Sequence, residues 1–143
     1  MSRVTTQRWS SLCRRAGLDA SAGAWCARLV TAYGEPHRHY HNLNHLDDCL
    51  RELDASPQTS CDLVAVELAL WFHDAVYDPR AADNEARSAA LARQFLTETG
   101  SDAERSLKVA RLILATRHLA VPADPEESLL VDVDLSILGQ SPG

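Results

Sequence analysis

The sequence predicts an all-α fold, a bundle of about six to seven helices. Aromatic residues make up only 6% of the chain while alanine and leucine are abundant, and such a composition favours helices. No segment shows the sustained alternation of apolar and polar residues that marks a half-buried strand. With 143 residues, 45% of them hydrophobic, the chain is expected to form one domain, residues 1–143, around one core.

Capping residues and glycines predict two helices in the first quarter of the chain. The threonine pair at positions 5–6 can cap a first helix that ends near Gly17. Asp19 or Ser21 can start a second helix, which is expected to end at Gly34 because glycine commonly follows the last helical residue.

The third and fourth predicted helices differ in how much of their surface is apolar. Asn42 can cap the third helix, Pro57 stops it, and its apolar stripe consists of Leu43, Leu46, Leu50 and Leu53. The fourth helix is expected to run from Asp62 through Tyr77. It is apolar nearly all round, so it should lie at the centre of the bundle.

The remaining helices follow from similar boundaries. A fifth is predicted from about Asn84 to Gly100 and a sixth from about Asp102 to Thr116. Prolines at positions 122 and 125 mark a loop. A last, short helix should include part of residues 128–138, which read SLLVDVDLSIL.

Charge and targeting signals exclude several classes of function. The net charge of −6 argues against binding to a nucleic acid duplex, which relies on many Lys and Arg contacts to phosphates. It is compatible with a small nucleotide in a locally positive pocket. The N-terminal residues lack the apolar segment of a signal peptide, and no apolar run is long enough to span a bilayer. We therefore expect a cytoplasmic protein that does not contact membranes.

The four cysteines predict reduced, partly buried thiols. Cys13, Cys26, Cys49 and Cys61 form no C-x-x-C pair, so a structural zinc site built on cysteines is not expected.

Four side chains could instead form a site for a divalent cation. His73 and Asp74 end the apolar fourth helix, where an unpaired buried charge would be costly and an aspartate opposes the helix dipole. His45 borders the core beside the leucine stripe. Of Asp132 and Asp134, at least one should point inward, and an inward carboxylate needs a cation or several donors. The ordinary alternatives are surface histidines, a core histidine and a salt-bridged aspartate.

Three further residues are candidates for chemistry. His41 precedes His45 by four residues, so the two share a face if the third helix has begun by then. One could ligate while the other transfers protons. Glu85 is suited to start the fifth helix and could also orient a water molecule. His118 ends the sixth helix, where a cationic histidine is also simply a good partner for the helix dipole.

Together these residues resemble a known family. The order H…HD…D is similar to the signature of the HD-domain superfamily of metal-dependent phosphohydrolases, and YHNLNHL resembles the first metal motif of the cyclic-nucleotide phosphodiesterases. The motifs RxYHNxxH, WFHDxVYD and DNExSA of small bacterial HD phosphohydrolases correspond to 38–45, 71–78 and 83–89. A fourth motif, TxxH, departs in spacing at 116–118. The resemblance covers roughly residues 33–139.

The resemblance implies a metal-dependent phosphoric ester hydrolase that acts on a phosphate ester or nucleotide. It implies one divalent ion (Mn, Fe, Co, Ni, Zn or Mg) that activates a water molecule and polarises a phosphoryl oxygen. The implied ligands are His45, His73, Asp74 and Asp134, with Asp132 as the alternative last ligand. Asp74 could bridge metal and water, and Glu85 or His41, the candidate general acid, could move protons. Arg38, Arg117 and His118 could neutralise phosphate charge.

Two other functions fit the same pattern. Some HD relatives hold two irons and carry out oxygen chemistry, which would require additional histidine ligands. A non-catalytic or truncated metal-binding domain that acts in an assembly is the other alternative, because relatives usually continue with further helices. We expect the apolar residues near the end of this chain (Leu135, Ile137 and Leu138) to be covered by a partner, for example in a homo-oligomer.

Overall fold

All regular secondary structure in the described part of the chain is helical, which confirms the all-α prediction. The computed structural model describes residues 3–36, 38, 42–56, 62–117, 121–122 and 124–138. Within these ranges there are seven α-helices, a short 3₁₀ helix at Ala20–Ala22 and no strand. The helices are α1 (Arg3–Arg15), α2 (Gly23–Tyr33), α3 (Leu43–Ala55), α4 (Leu63–Phe72), α5 (Asn84–Glu98), α6 (Ala103–Ala115) and α7 (Pro125–Leu138). None of these helices is both long and apolar enough to cross a bilayer.

Side-chain caps begin three of the helices at the predicted residues. Asn42 Oδ1 accepts a hydrogen bond from the backbone amide of His45 at 3.1 Å, and Asp62 Oδ1 accepts one from the amide of Ala65 at 3.1 Å. Asp102 caps α6 in the same way. Each cap satisfies an amide that has no partner within its own helix, so these starting points are fixed by local sequence.

Helix α4 lies at the centre of the bundle, as its composition predicts. It packs against α1, α3, α5, α6 and α7, and every residue from Ala65 to Phe72 is buried. Aromatic rings surround its second half: the Trp9 and Trp71 rings meet edge to face at 5.0 Å between centroids, and Phe72 lies 5.1 Å from Phe95. This packing fixes the end of α4, where His73 and Asp74 follow.

One acidic residue of α4 is buried and ion-paired. Glu67 is 3% exposed, and its carboxylate accepts from Arg8 Nε at 3.2 Å and from Arg15 Nη2 at 3.0 Å. Arg8 also pairs with Asp54 of α3. Because a buried carboxylate without a partner would be costly, this cluster holds α1 in place against α3 and α4.

Three predicted helix boundaries were wrong. Helix α4 ends at Phe72 rather than continuing through Tyr77, because side chains from elsewhere bind the backbone beyond it, as described below. Helix α1 begins at Arg3, ahead of the threonines predicted to cap it. Helix α7 has 14 residues and is not short; its first turn starts at Pro125, a residue whose fixed φ suits that position.

Candidate metal centre

Three helices bring the four predicted ligands together. His45 lies in the first turn of α3, His73 is the residue that caps the C-terminus of α4, Asp74 follows it, and Asp134 lies on α7. Helices α3, α4 and α7 all contact one another. His45, His73 and Asp134 are buried, whereas the Asp74 side chain is 13% exposed. The site is therefore interior, with Asp74 as its most solvent-exposed ligand.

The ligand atoms of these four residues almost touch. His45 Nε2 lies 3.4 Å from His73 Nε2, 3.2 Å from Asp134 Oδ1 and 3.5 Å from Asp74 Oδ2. His73 Nε2 lies 3.2 Å from Asp74 Oδ2 and 3.3 Å from Asp134 Oδ1. Each of the two ring nitrogens therefore lies within 3.5 Å of the other and of one oxygen of each carboxylate.

These separations fit a coordinated metal ion. Nitrogen and oxygen ligands about 2.1 Å from a metal lie about 3.4 Å apart at tetrahedral angles and about 3.0 Å apart at right angles. The five separations fall at or close to this range. Two imidazoles with two carboxylates are a common donor set for Zn, Fe, Mn, Co or Ni, so the residues present fit a divalent ion.

The tautomer of His73 also suits metal binding. Its Nδ1 lies 2.6 Å from the backbone carbonyl oxygen of Leu70, an acceptor, so Nδ1 carries a proton and donates it. In the neutral ring, Nε2 then presents a lone pair to the other ligands. A hydrogen bond of this kind from the distal ring nitrogen commonly orients histidine ligands.

Electrostatics within the cluster favour a positive charge between the carboxylates. Burial by itself would lower the pKa of His73, but Asp74 and Asp134 outweigh it and raise that pKa well above its ordinary value. Burial would raise the pKa of Asp134, yet hydrogen bonds from His45 and His73 lower it instead. A proton can therefore occupy the cluster, and a metal ion would compete with that proton for the same lone pairs.

A fifth candidate ligand, Cys49, was missed by sequence reasoning. Its Sγ lies 3.6 Å from His45 Nε2, and the ligand atoms of Cys49, His45, His73 and Asp134 all lie within 4.8 Å of one another. Burial raises the pKa of the Cys49 thiol to about 12, so the thiol is protonated at neutral pH without metal. The available signal was its spacing of four residues from His45, which places both side chains on one face of α3.

The turn that carries His73 and Asp74 is held by two side chains from α2 and the segment after it. The Tyr33 hydroxyl donates to the carbonyl of Trp71 at 2.9 Å and accepts from the amide of Asp74 at 3.3 Å. Arg38 donates from Nη1 to the carbonyl of Asp74 at 2.5 Å and from Nη2 to that of Ala75 at 3.0 Å. These bonds replace helical ones and end α4 at Phe72.

Arg38 is thus placed differently from what a phosphate-binding role would require. Its side chain is 0% exposed and also pairs with Glu35 at 2.9 Å, while the rings of Tyr33 and Tyr77 flank its guanidinium. Since these donors are directed to protein groups, the contacts indicate that Arg38 positions the His73–Asp74 turn.

Side chains near the start of α5 bind the backbone of the loop that follows the His73–Asp74 turn. Asn84 Oδ1 accepts from the amide of Asp78 at 3.0 Å, and Asn84 Nδ2 donates to its carbonyl at 2.9 Å. Ser88 Oγ accepts from the amide of Val76 at 3.0 Å. Glu85 lies in the same first turn, half-buried, and its catalytic role stays a prediction.

The structure also separates the two aspartates of α7. Asp134 is 3% exposed and faces the histidines, whereas Asp132 is exposed to solvent. Leu135, the residue after Asp134, is 47% exposed. The side chains of Ile137 and Leu138 lie outside the described residues.

The remaining predicted residues are not part of the described cluster. Arg117 is exposed, and its Nε donates to the carbonyl of Leu114 at 3.3 Å. His41 and His118 lie outside the described residues, as does Cys61. Cys13, Cys26 and Cys49 are buried and free of disulfides, as expected for reduced thiols.

Comparisons with known proteins do not identify a family for this chain. No protein-family model, curated protein or solved structure matches the chain.

Proposed function

We propose that this chain is a metal-dependent phosphohydrolase of the HD type, which cleaves a phosphate ester or a nucleotide. The observation that carries the proposal is the convergence of four ligand atoms from three helices, with five separations of 3.2–3.5 Å. The sequence order of these residues, H…HD…D, resembles that of the HD phosphohydrolases, which supports the proposal.

His45, His73, Asp74 and Asp134 would hold one divalent ion. Such an ion, when bound, supplies a water molecule of lowered pKa and charge that stabilises a phosphoryl oxygen. Asp74 is the most exposed of the four, so in this proposal the substrate approaches from its side. The Asp74 carboxylate would also orient the nucleophilic water by accepting a hydrogen bond.

The remaining functions in this proposal are assigned to other residues. Glu85, in the first turn of α5, and His41 are the proton-transfer candidates. Arg117 and His118 would neutralise charge on a phosphate group, a role that suits the planar guanidinium of arginine in particular. Tyr33 and Arg38 keep the His73–Asp74 turn in place, so that the ligand atoms are preorganised before an ion binds.

Metal analysis combined with a substrate panel tests the proposal. Purified protein would be stripped with a chelator, reloaded separately with Mn²⁺, Fe²⁺, Co²⁺, Ni²⁺, Zn²⁺ and Mg²⁺, and assayed on phosphomonoesters, phosphodiesters and nucleotides. We expect one ion per chain and turnover that disappears on stripping, returns on reloading and is absent in His73→Ala.

Two results would contradict the proposal in different ways. Binding of a metal without turnover on any phosphoester would leave a metal-binding domain that is not a phosphohydrolase. Turnover that persists after the metal is removed, or equal metal content in wild type and His73→Ala, would mean that this cluster is not the metal centre.

A further inference from the structure

The donor set of the centre includes one sulfur atom. Cys49 lies on α3, one turn after His45, and is 0% exposed. Its Sγ is 3.6 Å from His45 Nε2 and 4.0 Å from His45 Nδ1. The sulfur therefore lies beside the His45 ring at similar distances from its two nitrogens, and the nearer one, Nε2, is the atom that faces His73 and both carboxylates.

The sulfur-to-nitrogen separation is that of two ligands of one ion. With a metal–sulfur distance of about 2.3 Å and a metal–nitrogen distance of about 2.0–2.1 Å, the two donors lie about 3.6 Å apart at a tetrahedral angle. If the sulfur and the nitrogen were on opposite sides of the same ion, they would lie about 4.4 Å apart. The limit of 4.8 Å that encloses Cys49, His45, His73 and Asp134 accommodates both arrangements.

Cys13 lacks such surroundings. Cys13, in α1, has Cys26 and Glu67 as its neighbouring titratable groups. Cys49 has His73, Asp134 and Asp74 as its neighbours. A buried cysteine often acts only as a small apolar residue, and Cys13 fits that description. Cys49 instead shares its surroundings with three candidate ligands, His45, His73 and Asp134.

We propose that Cys49 is a further ligand of the metal centre and makes the centre selective for Zn²⁺, Fe²⁺ or Co²⁺ over Mg²⁺ and Mn²⁺. This inference rests on the proposed metal centre and adds to it the class of metal. Thiolates favour the softer ions, while Mg²⁺ and Mn²⁺ favour oxygen donors. On binding, the S–H bond is replaced by a sulfur–metal bond and the proton leaves to solvent.

Cobalt spectroscopy tests the proposal independently of activity. Stripped full-length protein would be loaded with Co²⁺, whose visible d–d bands report coordination by any donors and whose near-ultraviolet charge-transfer band reports a thiolate ligand. We expect both in wild type. Cys49→Ser should keep the d–d bands, lose the charge-transfer band and bind Zn²⁺ about tenfold or more weakly, a loss typical of perturbed metal sites. Its affinity for Mn²⁺ should change much less.

Matched variants separate ligation from folding. Cys13→Ser removes a buried thiol away from the centre and should keep both absorption features. Cys49→Ala provides a second variant in case serine at this buried position prevents folding, and the wild-type spectrum alone already tests for sulfur.

The outcomes distinguish this inference from the proposed function. If wild type shows d–d bands without the charge-transfer band, Cys49 is not a ligand although the metal centre stands. If Co²⁺ does not bind at all, both the centre and the role of Cys49 are overturned. A charge-transfer band that persists in Cys49→Ser would also contradict the proposal, because another thiol would then be the ligand.

Discussion

The hydroxyl of Tyr33 accepts a hydrogen bond from the backbone amide of Asp74 at 3.3 Å, across 41 positions of sequence. The same hydroxyl donates to the carbonyl of Trp71 at 2.9 Å, so one oxygen atom satisfies both sides of the turn that carries His73. Since Tyr33 is buried, losing its hydroxyl would leave both backbone groups without a partner that water could readily replace. The ligand geometry therefore depends on a residue that does not touch the ligand atoms.

Tyr33→Phe is expected to lower both stability and metal affinity. Removing the hydroxyl leaves a buried carbonyl and an amide without this partner, which typically costs about 1–3 kcal/mol, and loosened support of a ligand typically lowers metal affinity about 10- to 100-fold. Denaturant unfolding and metal titration measure the two effects. Thr99→Val is the control, because it removes another buried hydroxyl, bonded to Phe95, and should leave metal affinity unchanged. Equal metal affinity in Tyr33→Phe and wild type would show that the turn does not need this bond.

Arg38→Ala should have a larger effect on the same turn. Its guanidinium donates to the carbonyls of Asp74 and Ala75. Without it these two acceptors would lose their donor, which should lower the free energy of unfolding by about 2–5 kcal/mol. The control is Arg87→Ala, since Arg87 is exposed and its removal should change stability by less than about 0.5 kcal/mol. If Arg38→Ala instead folds with normal stability and metal content but loses phosphate affinity, Arg38 binds substrate, as the sequence alone indicated.

The two aspartates of α7 provide a matched pair for the last ligand. Asp134→Asn should remove most of the bound metal, because Asp134 Oδ1 contacts both ligand histidines. Asp132→Asn, at an exposed position of the same helix, should keep full metal content. Metal analysis of both purified variants, with their melting temperatures as a check on folding, tests this. Loss of metal in Asp132→Asn alone would reverse the assignment.

Glu85→Ala is expected to retain the metal and lose turnover. A general acid or base typically contributes about 10²- to 10⁴-fold in rate, so the loss on any phosphoester that wild type cleaves should fall in this range. Asp83→Ala is the control. Asp83 is an exposed acidic residue at the start of the same helix, and its side chain makes no capping hydrogen bond. His41→Ala is expected to behave like Glu85→Ala. Loss of metal in either variant would make that residue a ligand, and full activity would remove it from the mechanism.

The stability of the metal-free protein should depend on pH in a defined direction. The folded-state pKa of His73 is raised above 6.5, so its contribution is fully present below pH 6.5 and is lost as pH rises through the folded value. The pKa of Asp134 is lowered from 3.8, so its contribution is present above pH 3.8 and is lost as pH falls through the folded value. The chelated protein should therefore melt at the highest temperature in mildly acidic solution.

Bound metal should offset the loss of stability that the metal-free protein shows as pH rises. As pH rises through the folded pKa of His73, which lies well above 6.5, an ion replaces the departing proton, so the rise in melting temperature on adding Zn²⁺ or Mn²⁺ should grow with pH. Melting curves with chelator and with metal measure this difference, and His73→Ala should remove it. Parallel profiles with and without metal would show that proton and metal do not share the cluster.

Local signals in the sequence were sufficient for most of the secondary structure. Asn42, Asp62 and Asp102 begin their helices because a side-chain oxygen binds an amide only three residues away. The apolar composition of α4 placed it in the core because no face of it favours water. His73 and Asp74 were candidates because adjacent titratable groups at the end of a buried helix require a partner, and His45 was a candidate because it borders the leucine stripe of α3.

Tertiary structure decided which of these groups meet, because contacts between distant segments have no local signal. The family resemblance favoured Asp134 over Asp132, but the burial pattern of the local sequence did not separate them, and the packing of α7 against α3 and α4 turns Asp134 inward. Helix α4 ends at Phe72 because Tyr33 and Arg38 bind the backbone beyond it. Cys49 joined the candidate ligands for the same reason: its spacing from His45 gave it a shared helix face, but the convergence of three helices placed that face against His73 and Asp134.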